Sequence, residues 1–311
     1  MTEFELIALI RARTPKGAGV VLGIGDDAAV LQPTPGMQLV AATDNLVAGR
    51  HFVDSGDNRA TPEEIGHLAL AVNLSDLAAM GATPRWCLLT LTLPEADEQW
   101  LGAFLDGFLA LAAEHECALI GGNIARGPLD IAVTVLGEVA AGRFATRRGA
   151  RPGDRIVVTG TLGDAAGALV ARSPAGSALR RRLLKPAPRI AAGRELAAAA
   201  HALIDISDGL LADLAHLLDD SLGARIELAR LPTSSALAEA VPDPDERAEL
   251  QLSGGSDYEL MAAVGPDEAL PEIAAVALAE IGRVTDAGRV ECIDRDGRAF
   301  TPSRTGWDHF D

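Results

Sequence analysis

The chain has 311 residues, 48% of them hydrophobic, which is enough for two domains of ordinary size, each with its own core. Its formal net charge of −17 repels nucleic acid and anionic membranes at long range, and with no polybasic segment to offset that field neither is an expected partner. The opening MTEFELIALIRAR does not fit a secretory signal, no run is apolar enough for a membrane span, and Cys87, Cys117 and Cys292 read as buried thiols, so a cytoplasmic location is expected. In chain order, a helix is predicted over Glu3 to Arg13, then a glycine-rich stretch from Lys16 to Asp27 and a strand from Gln38 to Thr43. Thr61-Pro62-Glu63-Glu64 combines a capping box with proline at the first helical position, so a helix should run from there to about Met80 and stop at Gly81. Next come a strand at Cys87 to Leu93, a helix from Asp97 to Glu116, and strands at Ala118 to Gly121 and Asp130 to Val139. The polar segment RRGARPGD from Arg147 to Asp154 marks the expected boundary between domains 1–146 and 147–311. Beyond it, strand Arg155 to Thr159 leads through Gly160 to Gly163 into an alanine-rich helix. A helix at about Ala187 to Ala202 follows, then strand Leu203 to Ile206, which turns at Ser207-Asp208-Gly209 into a helix reaching Leu218. The pattern is α/β.

Five clusters have the composition of a site. Gly23 to Val30 (GIGDDAAV) sets adjacent carboxylates between glycines and an apolar strand, a placement that costs energy unless the charge is paired or metal-bound, although glycine and aspartate are also ordinary turn residues. Ala42-Thr43-Asp44 falls at a predicted strand end, followed by Gly49 to Phe52 with His51, which by itself reads as structural. Helical spacing puts Asn73 and Asp76 on one face of an apolar helix. Gly121-Gly122-Asn123 offers bare backbone to a phosphate or, equally, a tight turn. Asp205, Ser207 and Asp208 end a strand at a helix start, where N-capping accounts for one of the three. Lysine occurs only at Lys16 and Lys185 and no Walker A pattern exists, so polyphosphate would be neutralised by magnesium on clustered carboxylates, with Asp27, Asp44, Asp76, Asp205 and Asp208 the plausible set.

These segments resemble the thiamine-monophosphate kinase family, within the superfamily that includes aminoimidazole ribonucleotide synthetase and selenophosphate synthetase. The likeness rests on GIGDDAAV (23–30), TDNLVAGRHF (43–52), ALAVNLSDLAAMGA (69–82), GGNIARGP (121–128), TRRGARPGD (146–154), TGTLGDAAG (159–167), IDISDGLLADL (204–214), SGGSDYEL (253–260) and GWDHF (306–310). It implies an N-terminal α/β domain whose sheet pairs across a homodimer, a C-terminal α+β domain, and several Mg²⁺ ions around ATP. By motif position, Asp27, Thr43, Asp44, Asp76, Asp205 and Asp208 would bind metal, Ala42 through its carbonyl and Asn123 through its amide oxygen. Gly122, Asn123, Arg147 and Ser207 would contact ATP, while His51, Ser256 and Trp307 would face thiamine monophosphate. Asp44 and Asp208, through the magnesium they bind, and Arg147, through its own positive charge, would carry the catalysis of direct in-line γ-phosphoryl transfer. Asn123 replaces a usual aspartate and Ser256 a usual glutamate, with Asp257 and Glu259 as neighbouring acids to compensate. The alternatives are a related ATP-dependent synthetase, against which GWDHF and SGGSDYEL argue, and a nucleotide- or magnesium-binding protein without catalysis.

Overall fold

The structure is a computed structural model that describes residues 2–56, 58–172, 174, 177–274 and 276–307. It forms two compact units, residues 1–77 with 82–142, and residues 78–81 with 143–311.

The first unit runs α1 (Glu3–Arg13), β1 (Val20–Leu22), β2 (Val30–Leu31), β3 (Met37–Val47), α2 (Pro62–Ala79), β4 (Thr83–Leu93), α3 (Glu98–Glu114), β5 (Ala118–Arg126) and β6 (Asp130–Ala140). Its main sheet has the order β3-β6-β4-β5, antiparallel except for the parallel pair β4–β5, which α3 joins as a crossover. The helix starts follow the capping signals. Thr2 and Glu5 close a capping box on α1, and the Thr61 N–H donates to Glu64 (2.8 Å) while the Glu64 N–H donates to Thr61 Oγ1 (3.2 Å) ahead of α2. Helices α2 and α3 meet through glycines: a Cβ on Gly66 would lie 2.0 Å from the Phe104 carbonyl, and one on Gly107 would lie 1.9 Å from that of Glu63. The β1–β2 hairpin is seated by Trp86, which is 1% exposed, donates its indole N–H to the Ala18 carbonyl (2.9 Å) and packs among Val20, Ala29 and Leu31.

Two predicted strand ends are not ends. Strand β3 continues to Val47 because Thr43 to Val47 pair residue for residue with Thr134 to Asp130, so Asp44 lies within the sheet opposite Val133. Strand β5 likewise runs on to Arg126. Gly122 is there because β4 comes too close for a side chain: a Cβ would fall 1.7 Å from the Leu89 carbonyl, at a φ of +150°.

The second unit continues with β7 (Arg155–Thr159), α4 (Asp164–Val170), α5 (Ala178–Leu184), α6 (Ile190–Ala199), β8 (Ala200–Ile206), α7 (Leu210–Leu217), β9 (Gly223–Glu227), α8 (Ser235–Ala240), α9 (Pro244–Ser253), β10 (Glu259–Val264), β11 (Leu278–Thr285), β12 (Val290–Ile293) and β13 (Ala299–Phe300). They build a seven-stranded sheet in the order β13-β12-β9-β11-β7-β10-β8. Strand β10, flanked by β7 and β8, is buried along its whole length, and Ile156, Val158, Ile204, Ile206, Leu214 and Met261 share one core cluster. The helix expected from Ala187 begins at Ile190, since Pro188 biases its predecessor away from helix, and Ala200 onward passes into β8. Helix α5, short and arginine-rich with Ser177 as its N-cap, had no counterpart in the sequence reading.

Candidate functional site

In the first unit, the candidate residues sit on the sheet and on the elements that border it. Asp27 is exposed in the loop of the β1–β2 hairpin, where its N–H donates to the Asp26 carboxylate (3.0 Å) and Gly25, at φ +115°, leaves room for the Arg11 guanidinium. Ala42, Thr43 and Asp44 follow one another on β3. Thr43 donates its hydroxyl to the Val133 carbonyl and accepts from Thr134, both at 3.0 Å. Asp44 is exposed, and its N–H donates to Asn73 Oδ1 on α2 (2.8 Å), so the buried amide ties β3 to the helix that also carries half-buried Asp76. Asn73 was expected to share a face with Asp76, and its observed work is this anchoring of the strand. His51 Nδ1 accepts the Val47 N–H (2.9 Å), which leaves the ring proton on Nε2. Gly122 and Asn123 are exposed on β5, with Gly122 in the same transverse row as Asp44 through Leu89 and Val133. Three strand spacings, about 14 Å along the sheet, separate that pair.

In the second unit the turn after β8 is shaped by an acid that the sequence reading left unremarked. Asp213 is 3% exposed, and its Oδ2 accepts the N–H groups of Ser207 (2.9 Å), Asp208 (3.1 Å) and Gly209 (3.2 Å). The carboxyl thereby closes the N-terminal turn of α7 from within and fixes the backbone of half-buried Ser207 and Asp208. Burial, and then the charges of Asp205 and Asp208, push the Asp213 carboxyl up to about 7 against the backbone bonds that lower it. This concentration of oxygen donors and negative charge is chemistry suited to a hard divalent cation such as Mg²⁺.

Three predicted segments converge on the same turn. The Ser256 N–H donates to the Ser207 carbonyl and the Tyr258 N–H to the Ile206 carbonyl, both at 2.8 Å, and the Trp307 N–H donates to the Asp208 carbonyl (2.9 Å). Ser207, Asp208, Ser256 and Trp307 are therefore joined through backbone, with the Trp307 side chain 46% exposed. Asp308, His309 and Phe310 of the GWDHF motif lie outside the described residues. Arg147 is exposed just after Thr146, whose carbonyl accepts the Leu203 N–H (2.9 Å) at β8. Among the described residues no three His, Cys, Asp or Glu side chains are gathered as a ready metal cluster.

The acids expected to compensate for Ser256 point elsewhere. Asp257 is 2% exposed and accepts the Gly163 N–H at 2.8 and 3.1 Å. Burial dominates its titration and pushes it up to about 8, with the Gly163 bond and Arg182 pulling down and Asp164 and Glu259 pushing up. Glu259 is fully buried, bonded at 2.6 Å by Thr159, Arg182 and Arg189, and its carboxylate lies where a Gly160 side chain would be. Neither acid replaces a carboxylate at position 256.

Residues 25–139 match the N-terminal domain of AIR synthase related proteins and residues 151–295 match their C-terminal domain. With the thiamine-monophosphate kinase of Escherichia coli strain K12 the chain shares 44% identity over 99% of its own length and 98% of that protein's. The chain belongs to the thiamine-monophosphate kinase family. A crystal structure of thiamine-monophosphate kinase from Stenotrophomonas maltophilia K279a is 45% identical with a TM-score of 0.86, covering 96% of this chain and 98% of that one. A solved complex of AaThiL with AMPPCP and TMP is 33% identical with a TM-score of 0.76, covering 99% and 97%. The two-domain α/β architecture expected from the motifs is the architecture of the family.

Proposed function

We propose that this protein transfers the γ-phosphate of ATP to thiamine monophosphate, giving thiamine diphosphate and ADP. One observation carries the reading beyond family membership: the backbone bonds that join Ser207 and Asp208 to Ser256 and Trp307 set residues assigned to nucleotide and metal beside residues assigned to the thiamine substrate. Gly122, Asn123, Arg147 and Ser207 hold ATP. The ligands for Mg²⁺ are Asp27, Thr43, Asp44, Asp76, Asp205 and Asp208, with the Ala42 carbonyl and the Asn123 amide oxygen; bound there, the ions would offset the charge of the two phosphate groups that must approach each other. His51 offers its Nε2–H to a substrate phosphate oxygen. Trp307 gives an electron-rich face to the cationic thiazolium or the pyrimidine, and Ser256 contacts the same substrate.

A phosphate monoester is already largely ionised near neutral pH, so its oxygen attacks the γ-phosphorus in line without a strong base and no phosphoenzyme is required. Positioning and charge neutralisation therefore carry the rate: Asp44 and Asp208 would hold the Mg²⁺ ions that offset the phosphate charge, and Arg147 adds its own positive charge. The domain boundary is placed between residues 146 and 147, four residues beyond the division of the compact units after Gly142, the N-terminal sheet pairs with a second copy, and three free buried thiols fit a cytoplasmic location. The deciding experiment measures ADP release by the purified protein with Mg²⁺ and ATP. Release that depends on thiamine monophosphate and matches thiamine diphosphate formed is expected. Release indifferent to thiamine monophosphate, or no turnover with it, overturns the reading.

A further inference from the structure

The segment from Gly254 to Tyr258 connects α9 to β10 in a conformation its residues do not favour. Ser256 has φ +69° and Tyr258 φ +48°, left-handed values that side chains other than glycine rarely adopt. Such conformations persist only where the surroundings impose them. Here three sets of contacts do so. The N–H groups of Ser256 and Tyr258 continue the β8–β10 ladder onto the Ser207 and Ile206 carbonyls. Gly255 permits that approach, since a Cβ there would fall 2.8 Å from the Ser207 oxygen. Between the two strained residues, Asp257 turns to the opposite side and receives the Gly163 N–H. At the foot of the segment Glu259 is fixed by Thr159, Arg182 and Arg189.

We propose that Asp257 is a positioning residue: by accepting the Gly163 N–H it holds the strained segment in place and so sets Ser256 against Ser207 for binding the thiamine substrate. The proposal rests on the reading of Ser256 as a substrate contact. Asp257 is 2% exposed and acts through the backbone it holds, and Glu259 with its two arginines is the post from which the segment departs.

Two variants test it, Asp257→Ala and Asp257→Asn, in the full-length protein, each by amide hydrogen exchange and by steady-state kinetics. Alanine removes the acceptor. Exchange at Ser256 and Tyr258 is expected to quicken at least tenfold while Leu260 to Val264 stay within twofold. The KM for thiamine monophosphate rises about tenfold, and the KM for ATP stays within twofold. Asparagine keeps an oxygen for Gly163 and holds every one of these readouts within twofold of the parent. Unchanged exchange at 256 and 258 in the alanine variant, equal loosening along all of β10, or local loosening without a rise in that KM each overturns the proposal. Should the alanine variant not fold, the asparagine variant decides: retention supports the proposal and a tenfold change overturns it. If the parent shows no turnover with thiamine monophosphate, the functional reading fails, and the exchange pattern still settles whether Asp257 holds the segment.

Discussion

Asp208 leaves a backbone that Asp213 holds, and Asp44 leaves a strand tied to α2 by Asn73, so each chain segment has an anchor besides its own carboxylate. Replacing either with asparagine is expected to lower kcat/KM for thiamine monophosphate at least a hundredfold, while the melting temperature moves by no more than about 2 °C. Kinetics and thermal melts of the same preparations check this, and unfolding of either variant removes the metal assignment. Glu138 is the opposite case, an acid whose work is structural. It is 1% exposed and accepts the Thr34 N–H (2.6 Å), the Thr34 hydroxyl (2.7 Å) and Arg85 Nε (2.9 Å). Burial pushes its carboxyl up, yet these donors outweigh burial and hold it below the usual carboxylate value of 4.5. A lowered folded value contributes stability that is present above about pH 4.5 and lost as the pH falls through the folded value. Glu138→Gln should cost about 2 kcal/mol at neutral pH, with the gap to the parent narrowing in denaturant titrations as the pH falls below about 4.5. A constant gap across that window would remove the charge from the account. The acids that cap the fold were legible as residue types only: nothing in the spacing of Asp213 or Glu138 showed which N–H groups each would find.

Helix α3 contains two glycines five positions apart in opposite surroundings. A Cβ on Gly102 would have only Arg13 Nη1 near it, at 3.9 Å, whereas one on Gly107 would meet the Glu63 carbonyl at 1.9 Å and the Glu63 carbonyl carbon at 2.8 Å. Gly102→Ala is therefore expected to stabilise the protein by about 0.5–1 kcal/mol through helix propensity. Gly107→Ala should destabilise it by about 2 kcal/mol or more, because backbone cannot yield as a side-chain tip does. Urea denaturation of both variants checks the pair, and destabilisation of equal size at the two sites would mean that α2 and α3 do not pack through Gly107. The elements themselves were well marked where caps and glycines punctuate the chain: α1, α2 with its stop at Gly81, and α3 behind Asp97 all stand where the sequence put them. The errors share a cause. At Gly121-Gly122 and after Thr43 the sequence carries turn or site residues, and the structure spends them inside strands, because pairing with β4 and β6 is a tertiary fact that local composition does not encode. Helix α5 was hidden because it is short and arginine-rich, and one of its arginines, Arg182, is committed to buried Glu259.

At the scale of the whole molecule, nine motifs spread along the chain identified the family and with it the two-domain fold, whereas the meeting of 206–208 with 256–258 and 307 needed coordinates. The first unit supplies the physical argument for assembly. Strand β3 is 11 residues long and pairs only with β6 among the described strands, leaving a long sheet edge. Leu39 is 51% exposed on it. A long edge with apolar side chains is an invitation to further pairing unless another chain covers it. Each copy nevertheless carries −17, so two copies repel at distances beyond contact, and salt should weaken that repulsion as the screening length falls from about 10 Å at 0.1 M to about 3 Å at 1 M. Light scattering is expected to give twice the chain mass of 32.2 kDa, with dissociation on dilution less extensive at high salt than at low. Leu39→Lys, which puts a charge on the edge, should shift the population toward single chains while circular dichroism stays unchanged. A parent protein that remains a single chain at tens of micromolar and high salt would show that the edge of β3 is protected in some other way and that the N-terminal sheet does not pair across copies.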